Sequence, residues 1–271
     1  MESGQLTVLV SRLRGDVMQR LYIEHFLVGA LQMRCSVVTD LNSGDTLIVD
    51  GGEEFDRIST WIDSFQGLGP DWMNINMTED IWRDEGFPQR KVCGLINTHA
   101  HFDHTGHIPY FLQHYQVDWY LHEDDYFLQS LAQQSAKRWG FDIPEPATAT
   151  KSFSDGEHVI LGSLKFTVHH TPGHTLGGCC LEFENAEGAS HLFAGDTIFA
   201  GSVGRTDLPH SGGDFELLAT SIREKLWPLP HTTIIHPGHG PLTTVGKEFE
   251  TNPYVGKSAG EFGTYGFGKY A

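Results

Sequence analysis

The chain has 271 residues, of which 39% are hydrophobic and 20% are charged, a balance typical of a globular protein with a substantial core. Acidic residues outnumber basic ones by 35 to 18, so the formal net charge is −17. Because such a surface repels a phosphodiester backbone, nucleic acid is not expected as a partner.

The predicted elements begin after a mixed segment at residues 1–20, which we expect to be an N-terminal extension with either an edge strand or a tail at residues 6–10. Short runs of β-branched and apolar residues predict the strands that follow. They lie at residues 21–23, 26–28, 35–38, 46–50, 92–97, 117–121, 159–160, 164–169, 178–183, 191–194 and 233–236. Apolar residues at helical spacing predict helices at residues 53–66, 106–115, 122–139 and 215–226.

Between the first helix and the strand at residues 92–97 lies a less regular segment, residues 67–90. It is rich in Trp, Met and Asn, and we interpret it as an insertion or loop that could roof a site. Its Trp72, Met73 and Trp82 form either a mobile hydrophobic lid or ordinary packing.

Strands cluster in both halves of the chain, with helices between them. This pattern predicts two packed sheets flanked by helices. We expect one domain over residues 21–255, followed by a glycine-rich, irregular tail over residues 256–271.

The motif T-H-x-H-x-D-H at residues 98–104 directly follows a predicted apolar strand. Imidazole and carboxylate groups are the ligands that borderline-hard divalent metals prefer. His99 and His101 are two residues apart and can chelate one ion from the same side. Asp103 and His104 continue the turn and could face a second ion. The alternative is a polar loop whose histidines are incidental.

Three more predicted strands end in a loop that offers a ligand. The loops are T-P-G-H-T with His174, A-G-D-T with Asp196 and H-P-G-H-G with His239. Taken alone, each loop is weak evidence for a metal ligand, since a histidine after a turn can be an ordinary surface residue and Gly-Asp is a common turn. Strand-end loops on one rim of a scaffold are where sites are built, so together they predict one metal site.

In this order the motifs resemble the metallo-β-lactamase superfamily, over roughly residues 21–255. A G-R-T-D run at residues 204–207, and the Gly-Pro, Thr-Thr and Asn-Pro pairs between residues 240 and 253, resemble its glyoxalase II-like hydrolases. The resemblance implies an α/β (α+β) fold, the αββα sandwich, with a metal site at one edge. It implies two divalent metal ions, zinc above all, with iron or manganese as alternatives. One ion would be held by His99, His101 and His174, the other by Asp103, His104 and His239, with Asp196 as the bridge.

This site implies a metal-dependent hydrolase in which Asp103 and Asp196 are catalytic. Two metals held close together can share a hydroxide that attacks an acyl carbonyl, while a metal stabilises the oxyanion. A thioester suits this chemistry because a thiolate, with a pKa of about 8.5 for cysteine, leaves without a dedicated acid. We therefore expect a small-molecule acyl thioester, such as a glutathione conjugate, as the substrate.

The alternative is an oxidoreductase resembling the persulfide dioxygenases, which have an H-x-H motif and a similar G-R-T-D loop but use one iron held by two histidines and an aspartate. Their last motif usually contains Ala-His-Asp, whereas this chain has H-P-G-H-G at residues 236–240, which favours hydrolysis. Two-domain glyoxalase II carries a helical C-terminal domain that helps to hold glutathione. Only 32 residues follow His239, so the chain resembles the shorter, single-domain branch.

Three further residues are candidates for supporting roles. Arg205 could bind a substrate carboxylate through a bidentate fork, or fix its own loop through an ion pair with Asp207 or Asp214. His210 could line the cleft. Asp50, at the end of a predicted strand, is expected to orient a ligand histidine without touching the metal.

The first residues lack the basic and apolar regions of a secretory signal, and the longest early apolar run, residues 26–31, is far too short to span a bilayer. The four cysteines show no C-x-x-C spacing, which favours free thiols in a reducing compartment. We therefore expect a cytoplasmic protein without a membrane partner. Association into a homo-oligomer is compatible with the sequence.

Overall fold

The computed structural model describes residues 19–74, 77–186 and 188–259. The strand or tail predicted at residues 6–10 and most of the N-terminal extension and C-terminal tail lie outside the described residues. The domain boundaries therefore stay predictions. None of the helices in the described ranges is long and apolar enough to cross a bilayer.

The strands of the described residues are β1 (Leu21–Val28), β2 (Met33–Asp40), β3 (Asp45–Val49), β4 (Trp72–Met73), β5 (Lys91–Ile96), β6 (Trp119–Tyr120), β7 (His158–Leu161), β8 (Leu164–His170), β9 (Cys179–Glu184), β10 (Ser190–Gly195), β11 (Ile198–Phe199), β12 (Ser202–Val203), β13 (Ile234–Pro237) and β14 (Thr243–Thr244). The helices are α1 (Phe55–Ser64), α2 (Glu79–Asp84), α3 (Phe102–Thr105), α4 (Ile108–Tyr115), α5 (Tyr126–Ser130), α6 (Ala132–Arg138), α7 (Phe215–Ser221) and α8 (Val245–Thr251). Short helical turns of other types lie at Glu123–Asp125, Ile222–Leu226 and Lys257–Ala259.

The strands form two six-stranded sheets and a small two-stranded ribbon. The first sheet has the order β4-β1-β2-β3-β5-β6, the second has the order β14-β13-β10-β9-β8-β7, and β11 pairs with β12. In the second sheet β10 and β13 are parallel, and both β8 and β10 are antiparallel to β9. Strands β8, β10 and β13 therefore run in the same direction, and their carboxyl ends lie at the same edge.

Successive residues of a strand point to opposite faces of its sheet, so each sheet packs on both faces. The core therefore has three layers: one between the sheets and one under the helices on each outer face. In β2, Val38 packs between the two sheets, whereas its neighbour Val37 packs under α1 and α4. On the far side, Leu192 of β10 and Ile235 of β13 pack against α7 and α8. Helices thus cover both outer faces of two stacked sheets. The αββα sandwich implied by the sequence is confirmed.

Several predicted elements differ in extent from those observed. The helix predicted at residues 215–226 is α7 followed by a helical turn of another type at Ile222–Leu226, and the strand predicted at residues 117–121 is the two-residue β6. The runs at residues 21–23 and 26–28 belong to one continuous strand, β1. The helix predicted at residues 122–139 is divided into a 3-10 turn, α5 and α6. The division between α5 and α6 falls at Leu131, whose φ of −97° and ψ of −1° lie in the bridge region and interrupt the helical hydrogen-bond ladder.

Residues 67–90 pack against the edge of the first sheet. Strand β4 pairs with β1, and Trp82 is buried in a cluster with Tyr22, Leu41 and Met77. Among the described residues, none from this segment lines the cleft beside the predicted metal ligands. The described part of the segment, residues 67–74 and 77–90, is therefore packed against the sheet and does not roof the site.

A buried ion pair fixes this segment to the sheet. Arg90 Nη1 lies 2.9 Å from Glu24 Oε2, and both side chains are almost fully buried. The Arg90 guanidinium also lies over the rings of Phe65 and Trp82, at 4.2 and 4.8 Å. Trp61 Nε1 donates to the other oxygen of Glu24 at 2.6 Å. Removing one charge would leave the other buried without compensation.

We expect Glu24→Gln to lower the free energy of unfolding by about 3–5 kcal/mol, because Arg90 loses its counter-charge in a buried site. Urea denaturation followed by circular dichroism measures the change. The matched control is Glu79→Gln, which removes an exposed ion pair to Arg83 and should cost less than about 1 kcal/mol. Equal effects of the two substitutions would contradict the expectation.

Candidate metal centre

The seven predicted ligands lie together at one edge of the sandwich. The loop after β5 carries His99 and His101, and the short helix α3 that follows it carries Asp103 and His104. The loops after β8, β10 and β13 carry His174, Asp196 and His239. The ligand atoms form three overlapping groups, and within each group all of them lie within 4.8 Å of one another. The groups are His99, His101 and His174; His99, His104 and Asp196; and Asp103, His104 and His239. Both sheets thus contribute side chains to one cluster.

Four of the five histidines have an oxygen beside Nδ1. For three of them the contact is a hydrogen bond, whereas His104 Nδ1 lies near a carboxylate oxygen without hydrogen-bond geometry. In all four this nitrogen contacts an oxygen outside the cluster, so that Nε2 faces the centre. His99 contacts Thr98 Oγ1 at 3.1 Å, and His104 contacts Asp50 Oδ2 at 3.1 Å. His174 contacts the Arg205 carbonyl at 2.7 Å, and His239 contacts the Leu31 carbonyl at 3.1 Å. Outer contacts of this kind fix the tautomer and ring orientation of metal-binding histidines.

Asp50 is the most connected of these outer partners. Its backbone has a φ of 57°, which turns the chain at the end of β3. The carboxylate accepts from the Thr98 N–H at 2.8 Å, the Thr98 hydroxyl at 2.9 Å and Asn97 Nδ2 at 3.1 Å. The same group that contacts His104 therefore also anchors the start of the T-H-x-H-x-D-H loop.

The cluster contains polar atoms that the protein alone does not satisfy. His101 Nε2, His104 Nε2 and Asp196 Oδ1 are buried and form no hydrogen bond within the described residues. His99 Nε2 and His174 Nε2 are 3.3 Å apart, which is about the spacing of two nitrogens that share a tetrahedral zinc with Zn–N bonds of about 2.0–2.1 Å. These residues fit a divalent metal, because a cation would engage the unpaired atoms.

Charges divide the cluster into two halves. Burial lowers the pKa of His99, His101 and His174, and the neighbouring histidines add to the effect for His99 and His101. Burial also disfavours the charged form of His104 and His239, but Asp196 and Asp103 outweigh it and raise both pKa values. Those two histidines hold the pKa of Asp196 well below its usual range against the opposing effect of burial. Without a metal, these shifts favour neutral imidazoles in the half nearer His101 and favour protonated imidazoles beside the carboxylates in the other half.

Close approaches explain the glycines of the ligand loops. A methyl group in place of the Gly238 hydrogen would lie 2.3 Å from Asp196 Oδ1 and 2.7 Å from His104 Cε1. At Gly204 it would lie 1.9 Å from the Asp196 carbonyl oxygen. Glycine at 238 lets the loop after β13 meet the loop after β10, and glycine at 204 lets the chain after β12 pass close to the Asp196 backbone.

Sequence reasoning missed Asp125, which ties two ligand loops together. Its buried carboxylate accepts from the Ala100 N–H at 2.8 Å, the Thr175 hydroxyl at 2.9 Å and the Gly177 N–H at 2.7 Å. Ala100 lies between two predicted ligands, and Thr175 follows His174. The donors are 25 to 52 residues from Asp125 in sequence, so no local pattern indicates the contact.

Arg34 on β2 was missed for the same reason. Its backbone N–H donates to the Gly238 carbonyl at 2.7 Å. Its guanidinium donates to the carbonyls of Pro237 and Gly240. These three bonds hold the H-P-G-H-G loop, which carries His239, against the first sheet.

The cluster forms the floor of an open cleft of about 220 Å³, and the floor is lined by His101, Asp103, His174, Asp196 and His239. Its walls are formed by Leu31, Phe102, Ser135, Trp139, Arg205, Leu208 and Pro209.

Arg205 and His210 take different places relative to this cleft. Arg205 lines it, and its guanidinium makes a bidentate pair with Asp207, at 2.9 and 3.0 Å. His210 borders a separate, smaller hollow of about 40 Å³ beside Trp139 and Arg138, and is not among the described residues that line the cleft. The backbone carbonyl of Arg205, which contacts His174, is closer to the chemistry than either side chain.

Comparison with known proteins agrees with this arrangement. Residues 28–239 match the metallo-beta-lactamase superfamily. The hydroxyacylglutathione hydrolase GloC of Haemophilus influenzae is 34% identical over 236 residues, which cover 86% of this chain and 97% of that protein. Two solved structures superpose well. BLEG-1 B3 metallo-beta-lactamase has a TM-score of 0.68 and 30% identity, over 86% of this chain and 99% of the other. TTHA1623, in a di-iron-bound form, has a TM-score of 0.64 and 32% identity, over 84% and 98%.

The chain therefore belongs to the metallo-β-lactamase superfamily. It is a metal-dependent enzyme of the metallo-hydrolase class, and proteins of this superfamily bind divalent metals.

We expect Asp125→Asn to weaken zinc binding by about tenfold or more, because an amide cannot accept all three hydrogen bonds that align the two loops. Competition with a chromophoric chelator measures the affinity. Glu123→Gln is the matched control, since Glu123 is an exposed neighbour on the same turn and belongs to none of the clustered candidate ligands. Equal affinities of the two variants would show that Asp125 does not position the loops.

We expect zinc binding to release at least one proton near neutral pH, because His104 and His239 have raised pKa values and must lose a proton before they coordinate. Since the metal-free protein favours the protonated form, affinity should rise with pH until these groups are neutral. Isothermal titration calorimetry in buffers of different ionisation enthalpy counts the protons. Binding without proton release would contradict the charge division described above.

Proposed function

We propose that the protein is a binuclear metal-dependent hydrolase that cleaves an acyl thioester. In this proposal His99, His101 and His174 hold one metal, Asp103, His104 and His239 hold the second, and Asp196 bridges them. Zinc is the proposed metal, and iron or manganese would suit the same nitrogen and oxygen donors.

The observation that carries the proposal is the position of Asp196 between the two groups. Its Oδ2 lies 3.6 Å from His174 Nε2 and 3.7 Å from His239 Nε2, and its Oδ1 lies 3.4 Å from His104 Nε2. One carboxylate thus faces histidines of both groups, which is the arrangement that a bridging ligand requires. A single metal held by two histidines and one aspartate would leave the remaining imidazoles without a partner.

When bound, the two divalent metals would supply Lewis acidity and lower the pKa of a coordinated water toward neutrality. The chain's own residues would orient the water and the imidazole ligands for this chemistry. Asp103 and Asp196 are the two carboxylates at the floor of the cleft, so they are the groups proposed to orient the attacking water. Thr98, Asp50, Arg205 and Leu31 keep the imidazole Nε2 atoms directed to the same point through the Nδ1 contacts.

The walls of the cleft favour a good leaving group. Beyond the proposed ligands, the polar side chains among the described lining residues are Ser135 and Arg205, and neither is an acid that donates a proton readily near neutral pH. A thiolate leaves without such a donor, whereas the amine of an amide or lactam needs one. The similarity to hydroxyacylglutathione hydrolase GloC supports the same class of bond.

We expect the zinc-loaded protein to hydrolyse thioesters faster than the matching oxyesters, amides and β-lactams, and to contain about two metals per chain. Thiol release with a disulfide reagent measures the rate of hydrolysis, and elemental analysis measures the metal content.

Asp196→Asn should lower kcat/KM by more than about 100-fold, because it removes a proposed ligand rather than an outer contact. Asp63→Asn, which changes an exposed pair with His114, is the matched control.

Two results would contradict the proposal. Rapid cleavage of a lactam or phosphodiester without thioester cleavage would reject the substrate class. One iron per chain, with oxygen uptake that depends on a persulfide, would instead support the oxygenase alternative.

A further inference from the structure

We propose that the cleft selects thioesters with an apolar, uncharged acyl group, and that Trp139 is the main residue that determines this specificity. The inference rests on the proposed thioester hydrolysis and adds to it the chemistry of the substrate. It departs from a glutathione conjugate, which presents charged carboxylates on its thiol half.

The walls above the metal-ligand cluster are mostly apolar. Trp139 follows α6 at the rim, and 54% of its surface is exposed. Leu31 is 38% exposed, and Leu208, Pro209 and Phe102 complete the wall. An exposed tryptophan beside a leucine offers apolar area that a ligand can remove from water, at about 25 cal/mol per Å² buried.

Apart from the charge that the proposed metals would bring to the floor, the walls of this cleft offer little to hold an anionic acyl group. Among the described lining residues the only permanent cation is Arg205. Its guanidinium already makes a bidentate pair with Asp207, which raises its pKa. Asp207 occupies the Nε–Nη2 edge and offsets the charge, so a substrate carboxylate could use only the remaining Nη1 edge of a guanidinium that is already paired. No other described side chain on the walls could replace it as a charged partner.

The apolar wall is held in place by neighbouring elements. Phe102 packs with Phe141, Ala132 and Ala136 at the base of α6, which leads to Trp139. On the other side, the Ser211 hydroxyl donates to the Leu208 carbonyl, and the Leu176 N–H donates to the Ser211 carbonyl. The turn that carries His174 and the turn that carries Leu208 are therefore linked, so the wall has a fixed position relative to the cluster.

The size of the cleft sets a limit on the substrate. At about 220 Å³ it is smaller than the roughly 300–1,000 Å³ of pockets that enclose drug-sized ligands. It can take a medium acyl group beside the carbonyl, while a large thiol would extend into solvent. This favours the acyl half as the part that the walls recognise.

The test uses the zinc-loaded full chain and a series of thioesters of one neutral thiol, N-acetylcysteamine. The members of the series differ only in the acyl group, which is acetyl, butyryl, hexanoyl or phenylacetyl. We expect kcat/KM to rise by about threefold to fourfold for each methylene buried, until the cleft is filled. Trp139→Ala should flatten this series, and Leu208→Ala should reduce its slope. Ile160→Ala, at an exposed position of β7, should leave the series unchanged.

A second arm compares the butyryl thioesters of glutathione and N-acetylcysteamine. We expect the neutral thiol ester to be cleaved at least as efficiently. A glutathione ester favoured by more than about tenfold, or a chain-length series that is flat or unaffected by both wall substitutions, would overturn the inference and leave thioester hydrolysis standing. If no thioester is cleaved while another bond is, the proposed function itself is rejected, and the inference falls with it.

Discussion

The geometry of the metal-ligand cluster depends on what holds each imidazole from outside. In four of the five histidines, an oxygen at Nδ1 leaves Nε2 directed to a common centre. A histidine can rotate about two bonds, so without these contacts the side chains would sample positions in which no shared ion fits. The outer contacts reduce that freedom before any metal arrives, and pre-organisation of this kind is what makes a metal site selective.

The sequence pointed to the proposed ligands because each of them lies within a few residues of the end of an apolar strand. Strand, turn residue and ligand are neighbours in the chain, so a local pattern suffices for His99, His174 and His239. The fold class followed from the same alternation of strands and helices and from the order of the motifs.

The contacts that sequence reasoning missed are either between residues distant in the chain or made by backbone atoms. Asp125 contacts residues up to 52 positions away, and the carbonyls of Leu31 and Arg205 act on histidines whatever their own side chains are. The predicted helix at residues 122–139 failed for a related reason. The carboxylate of Asp125 is engaged with two distant loops, so the segment begins as a 3-10 turn fixed by those contacts, and the chain is interrupted again at Leu131.

Because the first sheet supplies His99, His101, Asp103 and His104 and the second supplies His174, Asp196 and His239, neither sheet contains a complete set of ligands. Under the proposed assignment, metal binding and the docking of the two sheets are thermodynamically linked. A metal at 100 times its dissociation constant would add about 2.7 kcal/mol to the free energy of unfolding. The same linkage works in reverse, since any change that loosens the core between the sheets would also release metal. The occupancy of the centre thus reports on the integrity of the whole sandwich.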